Sequence, residues 1–550
     1  MDTGGILLER WQIMRLTSES LKDRKLWEEA GFSLPQFDVE AMKKTTIEKP
    51  TWIHFGAGNI FRAFPANVQQ NILNAGKANT GIIVAEGFDY EIIEKMYKPN
   101  DNLSVLVTLK ADGTIAKTVV ASIAESLTVN PENEEEWNRL KDIFSAPSLQ
   151  MVSFTITEKG YNLYNSNGSF LDLVAADFNN GPKEPVSYIG KIAALLYQRY
   201  QAGKYGLSLV SMDNCSHNGT KLYEAVVAYA KAWVEKGLVE EGFLTYINDP
   251  NLIAFPWSMI DKITPRPDDS VKEMLKKSGF NDVDSIVTSK NTYVAPFVNA
   301  EEAQYLVIED AFPNGRPNLD ESGVIFTDKE TVDKVEKMKV CTCLNPLHTA
   351  LAIFGCLLDY TLIADEMKDL ELKKLVEIIG YQEGLPVVVD PGIIRPKDFI
   401  DEVLKQRIPN PFIPDTPQRI ATDTSQKLGI RFGETIKAYQ KSEHLNVSDL
   451  KLIPLTLAAW CRYLMAIDDN GKKFTPSSDP MLENVMPYLK GIEPGSKIDF
   501  HEKLQPILSN EKIFGVNLYE VGLGEKVEAY FAELVSGPGA VRNTLKKYTE

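Results

Sequence analysis

Three residues of different chemistry fall close together in the stretch KVCTCLNPLHTALAIFGCLL: Lys339, Asn345 and His348. A lysine tucked beside an apolar helix start can have its pKa lowered by burial and serve as a general base. An asparagine amide can hold a developing alkoxide, as in an oxyanion hole. A histidine there binds a substrate hydroxyl or sits satisfied in a core. The Asn345-Pro346 pair also reads as a helix N-cap followed by the first helical residue. That would put His348 in the first turn and Lys339 at the end of the preceding helix. Farther along, Arg419 and Lys427 stand in QRIATDTSQK. They are surface charges unless they face a crevice, where they would clamp hydroxyls or a carboxylate.

A second set lies earlier, in Thr51 to Phe64, TWIHFGAGNIFRAF. It reads as a short apolar strand, a glycine turn and a helix opening at Asn59 and Ile60. Gly56 permits a tight turn, and Gly58 lets a pyrophosphate approach the backbone at the positive end of that helix. A dinucleotide fingerprint wants a third small residue, where this chain has Phe61. Glu86 and Asp89 follow the next strand, GIIVA. A dinucleotide fold uses an acid there to accept the adenosine ribose hydroxyls and repel a 2′-phosphate, which favours NAD over NADP. Glu158 follows the strand MVSFT, and Asn214 follows LSLVS. Both fall beyond carboxyl strand ends, where open α/β sheets bind ligands. Singly, each is accounted for as a turn residue or a solvated acid.

The elements that must position these residues change texture along the chain. At 550 residues the chain is too long for one core. Residues 1–50 read as an extension of mixed helix and loop, packed on the outside of the domain that begins at 51. From 51 to 325 strands alternate with helices, including NIFRAFPANVQQNILNAG closed by Gly76 and SYIGKIAALLYQRYQAG. Short alternating strands over 103–127 read as inserted sheet. From 326 to 550 helical periodicity dominates. The expectation is an α/β Rossmann-type N-terminal domain followed by a mainly α-helical C-terminal domain.

The net charge of −17 disfavours nucleic acid and anionic membranes as partners. No apolar run is long enough to span a bilayer, and the N-terminal segment MDTGGILLERWQIM lacks a signal-peptide layout. Five cysteines, an odd and sparse set, point to a reducing cytoplasm. Cys341 and Cys343 with His348 could form a metal fragment, but a fourth ligand is not evident, and no metal is expected.

Several stretches occur together in one order: HFGAGNIFRAF, TITEKGY, SMDNCSHNG, FPWSMIDKITP, IEDAFPNGRP, KVCTCLNPLHTAL and QRIATDTSQK. In this ordered set the chain resembles the mannitol dehydrogenase family of polyol-specific long-chain dehydrogenases. That family includes mannitol dehydrogenases, fructuronate reductases (D-mannonate oxidoreductases) and tagaturonate reductases. The resemblance implies NAD(P)-dependent hydride transfer without a metal, on a small-molecule sugar acid or polyol. With the acid after the second strand, NAD is the expected cofactor, and the protein is expected to be a cytoplasmic monomer or small homo-oligomer. It puts the general base on Lys339, the oxyanion-binding asparagines on Asn214 and Asn345, and the acid of the TEKGY stretch on Glu158. Substrate contacts fall on His348, Arg419 and Lys427. Cofactor contacts fall on Gly56, Gly58, Asn59, Ile60 and Phe61, with Asp89 ahead of Glu86 as the nucleotide acid. The uronate branch is the nearest in look, which implies D-mannonate and D-fructuronate, with tagaturonate reductase and mannitol 2-dehydrogenase as alternatives.

Three features depart from the family pattern, and a fourth, Phe61, departs only from the classical glycine fingerprint. Five residues separate Lys339 from Asn345, where the family usually has four, so Lys337 is the fallback base. Phe61 suits the bulky residue of many members. Trp257 replaces a commoner polar residue, and the first fifty residues have no family role. Two other readings compete: an NAD-binding sensor that lost the chemistry, and a zinc alcohol dehydrogenase using Cys341, Cys343 and His348.

Overall fold

The computed structural model describes residues 14–266 and 269–550. The N-terminal segment inspected for a signal peptide therefore lies, but for Met14, outside the described residues. So do Pro267 and Asp268. The chain forms two compact units. One runs to Leu109 and from Thr114 to Val332; the other comprises Lys110–Gly113 and Asp333–Glu550.

The first unit is built on six parallel strands: β1 (Trp52–Phe55), β2 (Ile82–Glu86), β3 (Ile123–Thr128), β4 (Met151–Phe154), β5 (Leu207–Ser211) and β6 (Ile253–Ala254). Their order in the sheet is β3-β2-β1-β4-β5-β6. This is the doubly wound Rossmann arrangement, whose strand order reverses between β1 and β4. Strands buried on both faces read as continuous apolar runs, and β1, β4 and β5 are buried throughout. Their side chains split between two cores. Ile53, Phe55, Val152 and Phe154 face one, while Trp52, Val84, Met151 and Val210 face the other.

The inserted sheet forms only in part as expected. Ser104–Leu109 and Ile115–Val120 pair as an antiparallel hairpin, flanked by Phe297–Glu301 and Phe32–Ser33. The last run of the stretch is instead β3 and pairs with β2 of the main sheet. The expected single helix before Gly76 is two, α1 (Asn59–Ala63) and α2 (Pro65–Asn74). They break at Phe64, because Pro65 cannot donate a hydrogen bond into the helix before it. Residues 14–50 carry the helices Arg24–Glu29 and Val39–Glu48, and Trp27 is buried against Phe32 and Phe280.

The second unit is mainly helical. A helix, Lys329–Met338, continues through a π turn, Lys339–Cys343, to α3 (Asn345–Leu357). This run is long and apolar enough over 18 residues to cross a membrane, contrary to the sequence reading, but 78% of that stretch is buried inside the fold. It is a core helix. Beside it lies α4 (Leu452–Tyr463), with every residue buried, which also packs on α5 (Gly524–Leu534). Four π turns punctuate the described helices here: Lys339–Cys343, Ile378–Gly384, Val403–Arg407 and Gly429–Gly433.

Glu366 lies wholly inside this unit, against Gly355, and among the described residues neither carboxyl oxygen has a hydrogen-bond partner. Burial pushes its pKa well above the usual carboxyl range, with nearby Asp369 adding to the shift. Below the unfolded carboxyl pKa both states are protonated and Glu366 carries no penalty. As pH rises, the unfolded chain ionises while the folded one resists, so stability falls. Glu366→Gln removes this dependence. The melting temperature of Glu366→Gln relative to wild type is expected to rise between pH 4 and pH 8, read by differential scanning fluorimetry. A constant difference across that range contradicts the assignment.

Candidate functional site

In the first unit the site begins at the strand-order reversal. Gly56 follows β1 with φ of +109°, and its N–H donates to the Ala85 carbonyl at 2.9 Å. A Cβ here would collide with the backbone carbonyl of Thr155, the residue after β4. Only glycine satisfies both conditions. Gly58 caps α1 in extended conformation, and a Cβ there would meet nothing within 4 Å. The open space there lies beside the helix start, whose first N–H groups, on Asn59, Ile60 and Phe61, have no carbonyl within the helix to bond. The Phe61 side chain takes no part in that surface. It is fully buried and stacks on His54 with ring centroids 4.2 Å apart. His54 stands inside β1, bonded to the hydroxyls of Ser153 at 2.7 Å and Thr155 at 2.8 Å, and burial pushes its pKa down to about 3. A bulky ring at the third fingerprint position thus covers a buried polar strand residue.

Glu86 ends β2, and its carboxylate stitches the glycine turn to the strand. It accepts the N–H groups of Ala57 at 2.8 Å, Phe88 at 2.8 Å and Asp89 at 3.1 Å. Burial raises its pKa while these donors pull it down. Asp89 is buried and accepts the Thr288 hydroxyl at 2.6 Å. A cavity of about 730 Å³ gathers Gly56, Gly58, Glu86 and Asp89 with Thr155, Lys159 and Tyr188.

Glu158 and Asn214 do not line that cavity. Glu158 is exposed and ion-paired with Lys221. Its short turn hangs from Asp213, whose carboxylate accepts the N–H groups of Ile156 at 3.1 Å and Thr157 at 2.9 Å and the Tyr161 hydroxyl at 2.5 Å. Burial raises the pKa of Asp213. Asn214, next to it, is exposed. The Asn214 loop is held instead by buried Asn218, which donates to the carbonyls of Ser211 and Asp213 at 3.1 Å each and of Ser258 at 3.0 Å. Trp257, the unusual residue of FPWSM, stacks on His217 and donates to the Thr220 hydroxyl at 2.9 Å. It braces the helix after this loop. Neither Asp213 nor Asn218 stands out in the sequence, because a buried anchor and a loop residue look alike in one chain.

In the second unit Lys339 is buried, 4% exposed, at the start of its π turn. The Leu344 N–H bonds back to the Lys339 carbonyl at 3.1 Å, five residues earlier. The extra residue between Lys339 and Asn345 is absorbed there, since a π turn holds one residue more than an α turn. This corrects the expected cap as well: Leu344 is the N-cap, Asn345 and Pro346 are the first two helical residues, and no side chain caps the helix. Lys337, the fallback base, is half exposed and paired with Asp333 at 2.6 Å. That hydrogen bond raises its pKa, away from what a base needs.

His348, one turn into α3, lies 3.5 Å from Asp415. Burial, then the charges of Arg431, Arg419, Arg407 and Lys427, push its pKa down to about 3, so its imidazole is neutral. Arg419 is exposed and pairs with Asp415. Lys427 donates to the Thr422 carbonyl, and burial lowers its pKa, with Arg431 assisting. The structure places Arg419 and Lys427 near His348, together with Asp415, Arg407 and Arg431, which no motif marks. Arg431 rides on the π turn Gly429–Gly433 and donates to the hydroxyl of Thr349, which in turn donates to the Asn345 carbonyl at 2.9 Å. Cys343 points elsewhere, with its sulfur 3.9 Å from the Pro396 carbonyl. Among the described residues, no three His, Cys, Asp or Glu side chains gather as a metal would need.

Comparison with known proteins covers both units. The family model described as the mannitol dehydrogenase Rossmann domain matches residues 50–321, and that of the mannitol dehydrogenase C-terminal domain matches residues 331–535. A D-mannonate oxidoreductase of Thermotoga maritima is 55% identical over 97% of this chain and 99% of its own. Among solved structures, a substrate-free D-sorbitol dehydrogenase superposes with a TM-score of 0.77 at 25% identity, covering 94% of this chain and 98% of its own. A Pseudomonas fluorescens mannitol 2-dehydrogenase, in a ternary complex with NAD and D-mannitol, does so with a TM-score of 0.65 at 26% identity, covering 94% and 96%.

The two glycines of the turn should separate cleanly in a melting experiment. Gly56→Ala forces a Cβ onto the Thr155 backbone at positive φ and is expected to cost roughly 2 kcal/mol or more, a fall of several degrees. Gly58→Ala meets open space and should melt within about a degree of wild type. Equal melting of the two variants would contradict this geometry.

Proposed function

The chain belongs to the mannitol dehydrogenase family, and we propose that it is an NAD-dependent oxidoreductase interconverting D-mannonate and D-fructuronate. The observation that carries the sugar-acid reading is the positive cluster around His348. Arg419, Lys427 and Arg431 act on one neutral imidazole, with Asp415 the carboxylate beside it. Such a surplus suits an anionic ligand better than a neutral polyol. Full-length likeness to a D-mannonate oxidoreductase supports the same choice.

The first unit fits a dinucleotide. The open backbone at Gly58 and the N–H groups just after it would receive the pyrophosphate, and Asp89 or Glu86 the adenosine ribose, at the expense of a 2′-phosphate. NAD, when bound, supplies the hydride acceptor, and NADH the donor. The chain's own residues handle the proton and the developing charge. In the oxidative direction Lys339, in its neutral form, accepts the proton of the substrate hydroxyl. The amides of Asn214 and Asn345 donate to the oxygen as it becomes negative. In the reductive direction protonated Lys339 returns that proton to the oxygen. Asn345 suits this role because its side chain is not spent on capping α3. His348, neutral throughout the working range, accepts from or donates to a substrate hydroxyl without adding charge. Arg419 and Lys427 hold the rest of the substrate, and Glu158 is assigned to proton exchange with solvent. No metal enters these steps. A buried lysine on the helical run leading to Asn345 favours a working base over a sensor that lost one. The five cysteines, none in a disulfide, accord with a cytoplasmic protein.

The test is NADH oxidation with D-fructuronate, D-tagaturonate and D-fructose, with chelator present. Wild type should turn over D-fructuronate fastest. Lys339→Met should lower kcat by about 100-fold or more, as loss of a general base does, while Lys337→Met stays within about threefold. Activity that survives Lys339→Met would remove the base from Lys339. A preference for D-tagaturonate or D-fructose would overturn the substrate.

A further inference from the structure

The cations around His348 are not equivalent. Arg419 already faces the Asp415 carboxylate. Lys427 bonds the Thr422 carbonyl and feels Asp423 and Asp479. Arg407 is buried, 3% exposed, at the end of its own π turn. Arg431 differs from all three: its guanidinium bonds a neutral hydroxyl, that of Thr349, and among the described residues no carboxylate pairs with it. Burial alone shifts its pKa, down to about 10, with no anion offsetting the loss of water.

Arg431 is also held in place. Its π turn packs on the π turn of Lys339 and on α3. The turn is pinned at both ends by glycines. A Cβ on Gly433 would collide with the Phe514 carbonyl, and one on Gly429 would lie 3.1 Å from the Gly515 nitrogen. The guanidinium is therefore presented from a rigid support beside His348, through Thr349, the next residue on the helix.

A largely buried guanidinium without a counter-ion is costly, and folds usually supply the partner. Where the fold withholds it, a ligand can provide it. We propose that Arg431 is the specificity-determining residue for a carboxylate-bearing substrate, receiving that carboxylate on a guanidinium fixed by Thr349 and left without an acidic partner of its own. The assignment rests on the sugar-acid reading above and deepens it. Arg419 and Lys427 then hold hydroxyls, and Arg431 separates an aldonate or ketouronate from the corresponding polyol or ketose. A planar guanidinium suits a carboxylate because it offers two parallel donors.

D-fructuronate and D-fructose differ by a carboxylate in place of a hydroxymethyl group, so the pair isolates this contact. In Arg431→Met, kcat/KM for D-fructuronate is expected to fall by about 100-fold, mostly through KM, as for loss of a charge-assisted ground-state contact. Turnover of D-fructose should stay within about threefold. The free variant should melt no lower than wild type, since an unpaired buried charge is gone. Arg431→Lys should recover part of the affinity, because the charge returns without the fork. A fall in Tm with equal losses on both sugars would make Arg431 a structural residue and overturn the proposal. So would a D-fructuronate KM within about threefold of wild type. In either case, wild-type turnover of D-fructuronate would leave the sugar-acid reading standing. Wild type inert toward D-fructuronate would remove that reading and this assignment together.

Discussion

Buried carboxylates that accept backbone N–H groups hold the loops on which the candidate site depends. Glu86 takes three such donors and ties the glycine turn to the end of β2. Asp213 takes two, with a tyrosine hydroxyl, and shapes the Glu158 turn. Glu383 takes Lys451, Leu452 and Ile453 at 2.6–2.8 Å and so anchors the start of α4. Asp469 does the same for Val541 and Arg542. Burial raises the pKa of Glu86, Asp213 and Glu383, and the donors oppose it. The balance works only while the loop keeps its donors aimed inward. Loop shape and ionisation are thus coupled at each anchor.

What could be read in the chain depends on where the physical signal is local. Strands β1, β2, β4 and β5 announce themselves because a strand covered on both faces is apolar throughout. The helical texture after 326 has its own period. The run at Ile123–Thr128 looked like a third strand of an insertion, because a hairpin strand and a strand of the main sheet have the same local pattern. Phe61 looked like a flaw in a fingerprint until its partner, His54, was in view. Asp415, Arg407 and Arg431 carry no motif, and their grouping exists only once the helices have folded. Asn345 was misplaced by one position because a π turn cannot be distinguished from an α turn by apolar spacing over so few residues.

Charge is distributed at two scales that point in opposite directions. The whole chain carries −17, which repels polyanions at a distance. The surroundings of His348 are positive enough to help keep its imidazole neutral far below physiological pH. A small anion, carrying one charge and screened beyond about 8 Å in physiological salt, feels the near field on arrival and little of the far one. A nucleic acid, touching a wide surface at once, feels the far field throughout. The net charge therefore disfavours one class of anion and bears little on the other.

The π turn at Lys339–Cys343 bears on how this chain should be aligned with its relatives. Such a turn is an α-helix that has taken in one residue. Relaxing it to α geometry by deleting one residue would leave the lysine and Asn345 on the same helical run at the shorter count. The spatial relation between Lys339 and Asn345 is therefore compatible with two chain lengths, and counting residues from the asparagine is the wrong ruler. If relatives carry one residue fewer here, an alignment that forbids a gap inside the helix would set their lysine against Val340 rather than Lys339. Insertions are usually accepted in loops, where they disturb little. A π turn is a place inside a buried helix where one residue can be taken in with the change confined to a single turn.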